Sequence, residues 1–336
     1  MTSEHLTRRP TAADIARSLG ISRATVGFVL NNTPGQTISE PTRARVLAEA
    51  KRLGYQPHSA ARALASGRSH IILMILPDWP LDFALRRNIE EASLTLDEAG
   101  YTLVTYTSHP TGLARPLWET LQPDVVMSMT PISAEDVASI RAAGIVNLIP
   151  DPERANGTVY VDEGPRLQVE HLHSLGHRRI AFAGSTDPRI AELVAERREH
   201  SFSAAQHLGM EIAAEVQVDL FDQQASADLV LQWHASGITA VAAYNDDVAA
   251  SLVGAALRSG LDVPKDVSVI GHDDTPLAGF FHPQLTTIRT DTAGLGRYSA
   301  ALAISAATGT TPPTVGPEFS SEVVVRASTG PAGLSD

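Results

Sequence analysis

The 336-residue chain contains no cysteine, which excludes disulfides, a thiolate nucleophile and cysteine-ligated zinc or iron–sulfur centres, and fits a reducing compartment. A long apolar run is missing as well. The first ten residues are polar, with Arg8 and Arg9 among them, and the apolar stretch 71–77 is far shorter than the roughly 20 residues a bilayer demands. The expectation is a soluble, cytoplasmic protein without an export signal. Catalytic signatures are also missing. There is no nucleophile elbow and no HExxH, and Gly294-Leu295-Gly296 is half a dinucleotide loop without the preceding βα start or the acid that should follow. Neither an enzyme nor a cofactor is expected. His171, His173 and His177 do not make a metal site, because on a helix only His173 and His177 would share a face.

What is present is an apolar content of 43%, enough for two domains of ordinary size to bury their own cores. Charge is unevenly spread. Residues 1–68 carry ten Lys/Arg against four Asp/Glu, a net of plus 6, and the rest carries 16 against 34, a net of minus 18. A small basic head on a large acidic body points to an anionic polymer as the partner of the head and to something else for the body.

In the head, Thr11 and Asp14 precede apolar Ile15 and Leu19, which predicts a capped helix ending at Gly20. Ser22 then caps a second helix over 23–30, whose Val26, Val29 and Leu30 recur at helical spacing, with Asn31 as its left-handed stop. Ala16, Gly20 and Val26 meet the needs of a helix-turn-helix: close approach, a positive-φ turn and an apolar plug. A third helix runs from Pro41 through Val46, Leu47, Ala50 and Leu53 to Gly54. Residues 58–67 are good helix formers, but too few to hold a helix alone.

From residue 71 onward, apolar runs at 71–76, 102–106, 125–129, 145–149, 180–183, 238–243 and 267–270 alternate with helix-like segments such as 88–99, 163–175, 246–259 and 292–308. Alternation on this scale predicts parallel sheets covered by helices on both faces. The length favours two lobes, with ligand bound in a cleft at the carboxyl ends of the strands.

Residues 11–31 (TAADIARSLGISRATVGFVLN), Val46, 53–57 (LGYQP) and 61–65 (ARALA) closely resemble the head of the lactose/galactose repressor family of bacterial transcription regulators. Within the body, 171–184 (HLHSLGHRRIAFAG), 263–274 (VPKDVSVIGHDD), 285–288 (LTTI) and 323–329 (VVVRAST) resemble the same family's ligand-binding core. The stretches 78–131 and 151–154 depart from the family pattern.

The resemblance implies an α/β architecture with an all-α helix-turn-helix head over 1–57 and a hinge helix over 58–69. A two-lobed core like that of the periplasmic binding proteins follows over 70–331. Its N-lobe would take 70–160 and 292–319, and its C-lobe 161–291 and 320–331. The implied function is sequence-specific DNA binding by a transcriptional repressor under the control of a small, carbohydrate-like effector. Arg23 and Ala24 would face base edges, and Thr11, Ser22, Thr25 and Asn31 would lie near phosphates. Ala61 and Leu64 belong to the hinge, where two copies would pair in the minor groove and Leu64 would wedge between base pairs.

Phe28 and Gly27 stand where the family often has arginine and serine. The base read at Phe28 is therefore expected to differ, with contact to a thymine methyl as the apolar option. In the cleft the resemblance implies Arg198, with its neighbour Arg197 as the alternative, together with Asn245 and Asp273 for ligand hydroxyls. Phe221 is the stacking aromatic, with Phe83 and Trp79 as further candidates. A homodimer on a near-palindromic operator is expected. The seven residues 330–336 are too few for tetramer-forming heptads. The rival readings are a solute-binding protein of the same core fold and an α/β enzyme.

Overall fold

The computed structural model describes residues 10–30, 35–55, 68–107, 114–151, 163–313 and 321–333. The head is three helices: α1 (Ala12–Leu19), α2 (Arg23–Leu30) and α3 (Glu40–Leu53). Thr11 starts α1 by donating both its N–H (2.9 Å) and its hydroxyl (2.7 Å) to Asp14 Oδ2. Gly20 closes it at φ 65°, the left-handed conformation that glycine adopts without strain. Ser22 Oγ accepts from the Thr25 N–H at 3.0 Å and so caps α2. Ile15, Ala16, Val26, Val29, Val46 and Ala50 form the buried centre on which the three helices converge. The hinge expectation falls on residues that lie outside the described ones, apart from Arg68 and Ser69, as do the positions Asn31, Ala61 and Leu64.

The body is two parallel four-stranded sheets. In the N-lobe, β1 (Ile71–Leu76), β2 (Thr102–Thr107), β3 (Val125–Ser128) and β4 (Leu148–Ile149) lie in the order β2-β1-β3-β4. Strand β1 is apolar throughout because both of its faces are covered. Ile72, Met74 and Leu76 pack toward α4 (Phe83–Glu98), while Leu73 packs with Trp118, Val126 and Ile140 of the opposite layer. That opposite layer comprises α5 (Leu117–Leu121) and α6 (Ala134–Ala142).

The C-lobe repeats the plan. Its helices are α7 (Gly164–Ser174), α8 (Ala191–His207), α9 (Gln223–Ala235) and α10 (Asp246–Arg258). They flank β5 (Arg179–Ser185), β6 (Glu211–Val218), β7 (Ala240–Ala243) and β8 (Ser268–Ile270), ordered β6-β5-β7-β8. After the short helix α11 (Pro276–Phe280), β9 (Thr287–Thr290) pairs antiparallel with β10 (Ser321–Val324).

The chain returns to the N-lobe as α12 (Thr292–Thr308), whose Ala300 and Ala303 share the core of β1 and β3. Helices α12 and α4 pack so closely that a Cβ on Gly296 would lie 2.2 Å from the Asn88 carbonyl oxygen and 3.0 Å from the Ala92 nitrogen. Gly296 of the Gly-Leu-Gly run is therefore a helix-crossing device in this fold. Strand β6 goes beyond the seven apolar runs read from the sequence, and the run at 145–149 contributes only two strand residues. Among the described residues no helix is long and apolar enough to cross a membrane.

Candidate functional site

Two regions collect the chemistry. The first is the exposed face of α2. Ser22, Arg23 and Ala24 are exposed, Thr25 is half-buried, and the core contacts of the helix come from Val26 and Val29 on its other side. Phe28 is half-buried, yet it belongs neither to the buried centre of the head nor to the apolar residues packed around that centre.

Cations in the head divide by partner. Arg17 is held by Asp14 at 2.9 Å, and Arg52 grips Glu49 through Nε at 2.7 Å and Nη2 at 2.6 Å. Hydrogen bonds from Thr11 and the charge of Arg17 hold the Asp14 carboxyl at about 2. Arg23 and Lys51 have no acidic partner among the described residues, which leaves Arg23 available at the first position of α2. Thr11 is differently placed. Its hydroxyl proton is committed to Asp14, so a phosphate contact from that group would require an exchange of partners.

The second region lies where both sheets reverse their strand order, at β1/β3 and at β5/β7. A ligand in an open α/β sheet gathers at the carboxyl ends of such strands. A cavity of about 520 Å³ opens there, lined by Pro77, Asp78 and Trp79 after β1, Thr130 and Pro131 after β3, and Pro188, Arg189 and Glu192 after β5. A second cavity of about 480 Å³ shares Trp79 and Arg189 and reaches Tyr106 and Thr107 at the end of β2. Arg189 is oriented by Asp187, with Nε to Oδ1 at 2.9 Å and Nη2 to Oδ2 at 2.6 Å. Trp79 comes from the N-lobe but packs on a C-lobe patch containing Phe182, Ile190, Val194 and Tyr244.

Behind that patch sits a charged group. Arg197 donates through Nη1 to the Tyr244 carbonyl at 2.6 Å and through Nη2 to Asp273 Oδ1 at 3.1 Å, and its guanidinium lies 4.7 Å from the centre of the Tyr244 ring. His272 Nδ1 contacts the same Asp273 oxygen at 2.7 Å. Burial alone would raise the Asp273 carboxyl, but Arg197 and His272 outweigh it and hold the group at about 2. Its backbone stands at φ 94°, a strained region for a residue with a side chain. The Asp273 N–H bonds the Ile288 carbonyl at 2.9 Å, and the next residue, Asp274, is clamped by Arg326 at 2.6 Å and Arg289 at 2.7 Å.

Asp82, on the N-lobe side, has its carboxyl raised by burial against the opposing Leu85 N–H bond, and is raised further by the charges of Asp273 and Asp247. The two lobes therefore present acids to one another around Arg197.

The remaining positions expected in the cleft are distributed otherwise. Arg198 and its alternative Arg197 part company: adjacent helical residues point about 100° apart, and while Arg197 faces Asp273, Arg198 pairs with Glu215 at 2.6 Å and stacks 4.4 Å over Phe202. Phe221 is 96% exposed in the turn after β6 and lines neither cavity. Asn245 caps α10, its Oδ1 accepting the Val248 N–H at 3.0 Å. Phe83 is half-buried at the first position of α4 and carries Arg86 5.8 Å from its ring centre. Trp79, Asp78 and Arg189 take the lining positions that the sequence pattern did not single out as a set. Trp79 was a candidate through its ring, whereas Asp78 and Arg189 had no signal but position, in the segments just after β1 and β5.

His171 and His177 are structural. His171 Nε2 meets the Thr329 hydroxyl at 3.0 Å, and His177 spans the Thr239 hydroxyl at 2.8 Å and the Gly330 carbonyl at 3.1 Å. Burial lowers both imidazoles.

Residues 11–58 match the lacI family of bacterial regulatory proteins, and residues 169–329 match the periplasmic binding protein-like domain. Over 95% of its length the chain is 32% identical to the HTH-type transcriptional regulator MalR of Streptomyces coelicolor, covering 96% of that protein. It is 31% identical to GalS of Salmonella typhimurium over 89% of the chain and 91% of that regulator. In fold it is similar to the lac repressor dimer bound to operator and the anti-inducer ONPF, with a TM-score of 0.75 and 23% identity over 96% of this chain and all of the other. A CelR–cellobiose complex superposes with a TM-score of 0.61 and 24% identity over 95% of this chain and all of the other.

Proposed function

Because the chain belongs to the lacI family of bacterial regulatory proteins, and is thus a DNA-binding transcriptional regulator rather than an enzyme, we propose that it acts as a homodimeric repressor. It reads a near-palindromic operator through α2 and is released or retained by a small, carbohydrate-like effector bound between the lobes. The observation that carries the reading is the coincidence of the cavity with the strand-order reversals of both sheets, in one chain with a basic three-helix head whose Arg23 has no acidic partner among the described residues. Trp79 offers an apolar face for a sugar ring, while Asp78, Arg189 and Glu192 offer the paired donors and acceptors that hydroxyl groups require. The neighbouring regulator fold solved with cellobiose supports a sugar as the class. Asp273, at the strained turn between β8 and β9, and Arg197 of α8, which binds it, sit directly behind and transmit occupancy to the lobe connections.

Full-length protein would be used to select duplexes from a random pool, and a panel of mono- and disaccharides, cellobiose among them, would then be tested for an effect on the selected complex. Coupling is reciprocal, so a sugar that weakens operator binding must bind the operator complex more weakly by the same factor. We expect Arg23→Ala to cost about 1 to 3 kcal/mol on the selected duplex and to relax preference at one base position. Equal loss on selected and random duplexes would show Arg23 to be a phosphate contact. If no sugar shifts the complex, the carbohydrate part of the proposal fails, and a monomer in sedimentation at micromolar concentration removes the dimer.

A further inference from the structure

Beside Arg23, one strip of α2 carries no hydrogen-bonding side chain. Residues three and four apart share a helix face, and Ala24, Gly27 and Phe28 lie together, opposite the buried Val26 and Val29. Ala24 is exposed, and a Cβ built on Gly27 would meet nothing within 4 Å. This face is therefore open. What it presents next to Arg23 is a methyl, a hydrogen and a phenyl ring.

Phe28 would ordinarily be assigned to the core, but that place is filled. The six buried residues of the head are packed about by Ala12, Leu19, Ile21, Leu30, Ile38, Leu53 and Tyr55, and Phe28 is in neither group. A half-buried ring outside the core loses less side-chain freedom on contact than a free one would, and it can neither donate nor accept in the plane of a base pair. In the major groove the apolar feature of a base edge is the C5-methyl group of a pyrimidine, which thymine carries and cytosine does not.

We infer that Phe28 is a specificity-determining residue that reads a C5-methyl pyrimidine in each operator half-site, with thymine as the base in unmodified DNA and Ala24 and Gly27 providing the clearance for its ring. This rests on the reading of α2 as the DNA-facing helix. It changes the expected operator in kind: where an arginine at this position would select guanine through two hydrogen bonds, Phe28 selects a methyl.

The test uses the full chain in two selections from random duplex pools, one synthesised with thymidine and one with deoxyuridine, which lacks only the methyl. The thymidine pool is expected to yield a fixed thymine at one position per half-site, and the deoxyuridine pool to lose that preference. In the enriched duplex, replacing this thymine by deoxyuridine should weaken binding about fourfold per half-site, the equivalent of burying one methylene at ~0.8 kcal/mol. Cytosine at the position should weaken binding further, and 5-methylcytosine should recover the methyl-dependent step.

Phe28→Leu should keep the thymine-over-deoxyuridine difference and Phe28→Ser should abolish it, with both variants matched to the parent in thermal midpoint so that folding is not the cause. Equal binding of thymine and deoxyuridine duplexes by the parent overturns the inference, as does full discrimination by Phe28→Ser. Failure of both pools to enrich any duplex overturns the assignment of α2 to DNA instead.

Discussion

Arg197 and Arg198 show how much a single residue's direction decides. One lies against Tyr244 and Asp273, and the other pairs with Glu215 where both side chains are about a third exposed. Exposed pairs contribute about 0 to 1 kcal/mol, whereas removing one partner of a largely buried pair costs about 3 kcal/mol or more. We expect Arg198→Ala to leave both stability and effector response nearly unchanged. Arg197→Ala should lower the unfolding free energy by about 3 kcal/mol and abolish the response of the operator complex to sugar. Denaturant titration and a release assay on the same preparations would check both, and a silent Arg197→Ala would remove the charged group from the mechanism.

Asp246 is a second case. It is fully buried, with Oδ1 accepting the Thr287 hydroxyl at 2.6 Å and Oδ2 the Thr275 N–H at 2.7 Å. Burial outweighs these bonds and pushes its carboxyl up to about 6 from 3.8. An acid that binds its proton more tightly in the fold withdraws stability as pH rises from about 4 to about 6, and has no further effect above that range. Asp246→Asn keeps a donor and an acceptor but cannot ionise. Its stability relative to the parent should therefore climb across that interval by at most ~3 kcal/mol in thermal or urea unfolding, and a flat difference would contradict the raised carboxyl.

Elements with a strong local signal were legible from the sequence. Thr11, Gly20, Ser22 and Gly54 bound the three head helices, and α12 spans 292–308 as its composition suggested. Strand β6 was not legible. It lies at the edge of its sheet and mixes Glu211, Glu215 and Gln217 with apolar residues, so it lacks the continuous apolar run of a central parallel strand. The α4–α12 crossing was not legible for a related reason: the sequence shows that Gly294-Leu295-Gly296 lacks the context of a dinucleotide loop, but not that Gly296 meets a neighbouring helix. Gly296→Ala would force the Asn88 carbonyl and the Ala92 nitrogen apart, and overpacking of this kind costs about 1 to 3 kcal/mol. Gly27→Ala, facing open space, should be neutral or stabilising by up to ~1 kcal/mol through helix propensity. Parallel urea titrations of the two variants would show whether the crossing is as tight as its geometry states.

For the molecule as a whole, the question is how the lobes feel a ligand. Of the three tryptophans, Trp118 and Trp233 are buried inside separate lobes at 1% and 3% exposure, and Trp79 alone borders the cleft while packing on the opposite lobe. A sugar that alters the operator complex should therefore change the tryptophan emission of the parent. Trp79→Phe should lose most of that change and bind more weakly, and Trp118→Phe should respond as the parent does. A full emission change in Trp79→Phe would place the ligand away from this cavity.

The sequence by itself determined what depends on neighbours along the chain. Caps, helical and strand periods, the basic head against the acidic body, and the family motifs at 11–31 and 263–274 are local patterns, and they were enough for architecture and for the class of function. The tertiary structure decided what depends on rotation and on distant partners. It turned Arg197 rather than Arg198 toward Asp273, left Phe221 in solvent, made Asn245 a cap and brought Trp79 across to the C-lobe patch of Phe182, Ile190, Val194 and Tyr244. The physical reason is geometric. A one-residue step turns a helical side chain by about 100°, and contacts between lobes join residues more than a hundred positions apart, so no local pattern can specify which of two neighbouring side chains meets a ligand.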